Sequence, residues 1–261
     1  PCRGKRTTLH VPRAGIDAAK RDKLLAALRA SDRVKASVKE KSDDELLDHY
    51  QLAQGQVLTH LGVLCLGRQH HRAQLTTAPV IQFIKYDEHG QKVNKLVWDD
   101  HTQSPMELIE AVWLEVPDFR ERYELPDGLY RQNVPAFDEI VVRELLVNAL
   151  VHRPYTQRGD IFLNLHPDRL EMVNPGLLPL GVTPQNVLHT TVCRNEYMAR
   201  LFHDLKLMER ESSGFDKIFE VLLSQGRPAP ELIETHDRVQ VTVRRRILKP
   251  EVIDFIAKAD Q

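Results

Sequence analysis

Glu144-Leu-Leu-Val-Asn148-Ala-Leu-Val-His152 is the stretch whose reading decides the fold. Glu144, Asn148 and His152 recur every fourth residue, so on an α-helix they share a stripe within roughly 80° of arc. Leu145, Leu146, Ala149 and Leu150 between them are apolar and suit packing. Polar groups on one stripe of such a helix need a partner, water or a ligand. A carboxylate in that place can orient or deprotonate a water, and an Asn carbonyl oxygen is a hard ligand suited to magnesium. By itself the spacing is common and is read first as three exposed positions on an amphipathic helix.

Downstream, the helical pattern of 137–151 gives way to two β-like segments, 160–165 and 169–173, joined by His166-Pro167-Asp168. Asn174-Pro175-Gly176 follows the second of them. Asn174 can accept from and donate to an adenine edge, and Gly176 lets the backbone approach a ligand closely. Arg210-Glu211-Ser212-Ser213-Gly214 then leads straight into a helix. Small residues before a helix start leave backbone N–H groups free for phosphate, which makes Ser213 and Gly214 candidate phosphate contacts. A plain turn and a plain helix start account for the two segments taken singly. The ordered set of three is what points to a nucleotide. Helices are expected over 195–204 and 214–224, a strand over 239–243 and a terminal helix over 250–259.

Upstream, Ser42-Asp43-Asp44-Glu45 and Ser104-Pro105-Met106-Glu107 are capping boxes that open helices. Segments 80–86 and 93–98, around Asp87-Glu88-His89-Gly90, form a hairpin. The run 61–66 fits either a buried strand or the end of a helix. Residues 17–30 have helical spacing, 1–15 are a basic, loose leader, 35–41 a charged connector and 116–135 a linker.

Lys and Arg total 36 against 37 Asp and Glu, so net charge offers no support for nucleic-acid binding. Cys2, Cys65 and Cys193 lie far apart without a CxxC pair, which argues against a zinc knuckle or a disulfide framework and suits a reducing cytoplasm. No apolar run is long enough to span a membrane. The chain opens on Pro1 rather than Met, which suggests a fragment or a processed product. His60, His70 and His71 lack a carboxylate or Cys at ligand spacing and read as surface positions. Arg244-Arg245-Arg246 reads first as the solvated end of a strand and second as a contact to DNA phosphates.

The stretch 143–220 resembles the GHKL-type (Bergerat) ATPase domain of RecG-related helicases and of transcriptional regulators with a Schlafen-type AlbA-like domain. The matching text is Glu144 to Tyr155, then Asp168-Arg-Leu-Glu-Met-Val-Asn174-Pro-Gly176-Leu-Leu-Pro179, then Cys193-Arg-Asn195, then Glu209-Arg-Glu-Ser-Ser213-Gly214. With Thr59–Gly67 and the hairpin after it, the likeness covers most of 42–235. It implies that Glu144 is a general base and Asn148 a magnesium ligand; His152, on the same helix face, is read with them as a nucleotide contact. It likewise implies adenine contacts at Asn174 and Gly176 and phosphate contacts at Ser213 and Gly214. The family's adenine-binding Asp corresponds to Asn174, and its glycine-rich second box is reduced to Ser213-Gly214. No P-loop exists anywhere, so a helicase motor is absent. The AlbA-like domain that the resemblance implies upstream is missing or reduced to its tail.

The expected chain is α+β. A leader and helix (1–41) and a helix and hairpin connecting region (42–130) precede a two-layer α/β sandwich of GHKL type (131–248), followed by a terminal helix (249–261). The expected function is binding of ATP with Mg in a cytoplasmic regulatory or DNA-transaction protein, as a weak ATPase at most and open to homo-oligomerisation. The alternative is a degenerate, non-hydrolysing domain that serves a transcriptional regulator as a dimerisation or DNA-binding module.

Overall fold

A computed structural model describes residues 10–127, 130–190, 192–208 and 214–245. Helices α1 (Ala18–Ala30), α2 (Ala36–Lys39) and α3 (Asp43–His49) are followed by the two-residue strands β1 (Ala53–Gln54) and β2 (Val57–Leu58). Then come α4 (His60–Leu66), α5 (Gln69–Gln74), the hairpin β3 (Ile81–Tyr86) and β4 (Lys92–Trp98), and α6 (Pro105–Glu115). A second hairpin, β5 (Arg122–Asp127) and β6 (Tyr130–Pro135), leads into α7 (Glu139–His152), β7 (Ile161–Leu165) and β8 (Arg169–Pro175). The chain continues with α8 (Glu196–Asp204), α9 (Phe215–Ser224), β9 (Glu231–Glu234) and β10 (Arg238–Arg244).

Six strands form one open sheet in the order β4-β3-β7-β8-β10-β9, with β3 parallel to β7 and every other pair antiparallel. Register places Phe83, Leu163, Met172 and Val241 in one row across the sheet. Side chains alternate along each strand, so this row and its neighbours Ile161, Leu170 and Val243 face one way. Against that face packs α7. It buries Val141, Val142, Leu145, Leu146, Val147, Ala149, Leu150 and Val151, and a helix apolar on nearly every side belongs inside. Helices α6, α8 and α9 pack on it in turn. Two layers result, an α+β arrangement as the sequence predicts. The strands β3 and β4, from the N-terminal side of residue 130, belong to the same sheet as β7–β10.

Both capping boxes form as the spacing predicts. Ser42 and Ser104 each accept from the backbone N–H three residues on, while Glu45 and Glu107 reach back to the cap N–H. Each such cap contributes about 1 kcal/mol. The run 61–66 is helical, because the Thr59 side chain accepts from Gly62 N–H at 3.0 Å and starts α4. Gly62 sits against the Leu52 carbonyl so closely that a methyl group there would lie 1.7 Å from the oxygen.

Two expectations need correction, and one strand is added. Residues 116–135 are not a bare linker but contain a 3-10 turn (Pro117–Arg120) and the β5–β6 hairpin, which the prolines tolerate at a two-stranded edge. Residues 10–15 are not loose, since Pro12 bridges to Val57 and Arg13 reaches Asp44 and Asp48. Strand β9 was not expected at all. Its four residues are mostly exposed, so no alternation marks it. The expected terminal helix over 250–259 lies outside the described residues. Among the described residues no helix is long and apolar enough to cross a membrane.

Candidate functional site

The helix α7 is pinned at both ends. Asp138 caps its start by accepting from Ile140 N–H at 2.8 Å. At its end the Asn195 amide donates to the Val151 and Arg153 carbonyls at 2.6 and 2.8 Å, which satisfies carbonyls that the helix leaves orphaned. Arg153 follows, almost wholly buried, donating to the Thr77 carbonyl at 2.8 Å and the Gly159 carbonyl at 2.7 Å. Its guanidinium lies 5.3 Å from the Tyr155 ring centre, and the Tyr155 hydroxyl returns to the Leu150 carbonyl at 3.1 Å. The sequence reading assigned no role to Arg153, Tyr155 or Asn195. Together they fix where the polar stripe of α7 points.

That stripe opens onto a cavity of about 1020 Å³ between α7, the sheet, α8, the 176–194 loop and the N-terminal helices. Asn148 and His152 line it from α7, and Asn174 and Gly176 line it from the end of β8. These four predicted residues, separated by up to 28 positions in the chain, therefore meet at one void. Three of them present buried polar atoms that have no hydrogen-bond partner among the described residues: Asn148 Nδ2, His152 Nδ1 and Asn174 Oδ1. An unmade hydrogen bond of this kind costs about 1–3 kcal/mol per group, so three around one space call for an explanation.

Gly214 stands beside the same helix face with φ at +69°. A methyl group on it would lie 2.9 Å from Glu144 Oε2, 3.1 Å from Asn148 Nδ2 and 3.2 Å from Asn148 Oδ1. The position thus requires glycine twice, for its backbone angle and for its neighbours. Gly214 is also the residue from which α9 starts, without a side-chain cap. Glu144 is buried and touches this point, but it is not among the described residues that line the cavity. Ser213 lies outside the described residues. Gly176, with φ at +91°, lies so close to Pro154 that a methyl group would approach its ring to 2.5 Å. The Asn-Pro-Gly turn is therefore locked onto the turn that ends α7.

His152 is held uncharged. Burial, and secondarily the nearby Arg194, push its pKa down from 6.5 to about 4. The unfolded chain takes up this proton near its ordinary value, whereas the folded protein resists it until about pH 4. Stability is therefore expected to be fully present above pH 6.5 and to fall between pH 6.5 and 4. The loss reaches up to about 3 kcal/mol. Denaturant titrations of the wild type and of His152→Asn across that range measure it, and an equal slope in both would reject the assignment.

The opposite wall of the cavity comes from the N-terminal part of the chain, which the local sequence pattern does not reveal. Lys35, Val38, His49 and Tyr50 line it, facing Arg200 and Asp204 of α8. Tyr50 donates to Asp204 at 2.7 Å, and Asp204 also meets His203 Nδ1 at 2.9 Å. The other candidates resolve differently. Arg244 pairs with Asp168 and Glu231, and Arg245 with Glu121, so two of the three consecutive arginines are engaged within the protein. Among the described residues no cluster of three or more His, Cys, Asp or Glu side chains could hold a metal by itself.

The chain matches no curated protein. Over most of its length it shares its fold with the DIP2311 protein of Corynebacterium diphtheriae, at a TM-score of 0.74 and 22% identity. That match covers 95% of this chain and 48% of the other, so the chain spans about half the length of that protein. Residues 159–243 match the family described as "Putative ATP-dependent DNA helicase recG C-terminal". The matched segment contains Asn174, Gly176 and Gly214 and begins after Glu144 and Asn148. Strands β7 to β10, with α8 and α9 between them, thus make up a region similar to the ATPase-like domain of the RecG C-terminal family.

Proposed function

We propose that this chain binds an adenine nucleotide, ATP with magnesium, in the cavity between α7 and the β8–β10 face, as a domain of the GHKL (Bergerat) kind. The observation that carries the reading is that Asn148, His152 and Asn174, whose Nδ2, Nδ1 and Oδ1 are buried without a partner among the described residues, all line one void of about 1020 Å³. That volume suits a ligand the size of a nucleotide. Apolar Leu145, Met172 and Val241 supply flat walls for a base, and Asn174 stands at the strand end where an amide can read its edge. Asn148 presents its amide next to the start of α9, where backbone N–H groups and the helix dipole favour phosphate.

The same residues fit magnesium. Asn148 Oδ1 is a hard oxygen, and Glu144 Oε2 stands with it against Gly214, where only a glycine fits. Bound with the nucleotide, the ion would neutralise phosphate charge. Glu144, buried beside Gly214 rather than on the cavity wall, is the residue read as taking a proton from an attacking water, and that burial favours retention of the nucleotide over rapid turnover. A regulatory ATP-binding module is the role that follows.

Calorimetric titration of the folded protein with ATP and magnesium tests the reading. Saturable binding is expected, with a gain of about 2.7 kcal/mol in stability at 100 times the Kd. A flat titration together with an unmoved melting curve rejects it.

A further inference from the structure

The N-terminal wall of the cavity carries charge that the nucleotide reading above does not use. Lys35, exposed between α1 and α2, and Arg200 on α8 both line the void, and neither forms an ion pair with a carboxylate among the described residues. Arg200 is nonetheless held in place. Its guanidinium lies 5.5 Å from the Tyr50 ring centre and donates to His49 Nε2. An imidazole that accepts this hydrogen bond is neutral, and burial together with the nearby Arg200 charge lowers the His49 pKa in keeping with that. Asp204 makes its hydrogen bonds with the Tyr50 hydroxyl and His203 and forms none with Arg200 among the described residues. Glu196 is the other acid on the cavity wall.

We infer that Lys35 and Arg200 form an anion subsite on the N-terminal side of this cavity, which takes a phosphate group of the bound ligand or of a second molecule beside it. Two cations facing a partly enclosed space attract an anion more strongly than they would on an open surface, because the low-dielectric walls focus their field. The planar Arg fork, stacked on Tyr50, is pre-oriented and loses little freedom when it grips phosphate oxygens. Lys35 adds a point charge. Because these residues belong to the N-terminal helices and to α8, an anion held between them would link the N-terminal region to the ATPase-like half.

The inference deepens the nucleotide reading but can stand without it, and inorganic pyrophosphate serves as the probe. Titrations with pyrophosphate, alone and in the presence of ATP and magnesium, are compared for the wild type, Lys35→Gln and Arg200→Gln. Both side chains are exposed, so the variants are expected to melt like the wild type. Pyrophosphate is expected to bind the wild type, more weakly as salt rises, and each variant is expected to lose tenfold or more in affinity, on the order of one charge-assisted hydrogen bond. Competition between pyrophosphate and ATP would assign the subsite to the nucleotide's own phosphates, and simultaneous binding would assign it to a second anion. Pyrophosphate binding that depends on Lys35 and Arg200 in a protein that ignores ATP would uphold the subsite and remove the nucleotide reading. Equal pyrophosphate affinity in wild type and variants, or no binding to the folded wild type, overturns the subsite.

Discussion

Asn148→Ala is expected to weaken binding of ATP with magnesium by at least tenfold while leaving the melting temperature unchanged or slightly higher. The two halves of this result have separate causes. The amide is placed to serve both the ion and the phosphates through its oxygen and nitrogen, and charge-assisted hydrogen bonds of this kind are worth about 1.5–3 kcal/mol each, which sets the loss of affinity. In the empty protein the same amide contributes little to folding, because Nδ2 is buried without a partner among the described residues. Removing an unsatisfied donor relieves a penalty, and the space left merges with a cavity that already exists. A residue kept at the expense of stability is the pattern expected of a binding site. Calorimetry and thermal melting on one preparation check both halves. Unchanged affinity would remove Asn148 from the site, and a fall of several degrees would make it a structural residue.

Arg153→Met is expected to produce the largest loss of stability of any single change around the site, about 3–5 kcal/mol. Methionine keeps the apolar stem but leaves the Thr77 and Gly159 carbonyls without the cation they face, and it ends the contact with the Tyr155 ring. For a chain of this size each kcal/mol lowers the melting temperature by roughly 2–4 °C, so a drop of about 10 °C is expected. The effect reaches function indirectly. Arg153 holds the turn after α7, on which Pro154 packs against Gly176, so the variant is expected to weaken any ligand of the cavity even at temperatures where it stays folded. A melting temperature within 2 °C of the wild type would show that the carbonyls find other donors.

How much of this was legible in the sequence depends on the range of the interactions involved. Capping boxes at Ser42 and Ser104, the β3–β4 hairpin and α7 itself follow from neighbours within four residues, and all of them form. So does the shared stripe of Glu144, Asn148 and His152, which helical geometry alone imposes. The meeting of Asn148 and His152 with Asn174 and Gly176 was expected from their order in the chain, and it becomes a common cavity only through the packing of α7 across β8. Strand β9 and the β5–β6 hairpin were not legible, because mostly exposed or proline-containing strands lack the alternation that marks a half-buried one.

By itself, then, the sequence determined the longer helices such as α1, α6, α7, α8 and α9, which face of α7 is polar, and that glycine stands at 176 and 214 in places where the backbone turns. Only the tertiary structure decided what those features are for. Burial placed Glu144 behind Gly214 and left Asn148 facing the void, although helical periodicity puts the two on the same stripe. Contacts between residues more than 100 positions apart brought Lys35 and His49 to the wall opposite α7, with His49 in contact with Arg200. Local patterns cannot encode such a wall, since it exists only where distant parts of the chain exclude water together.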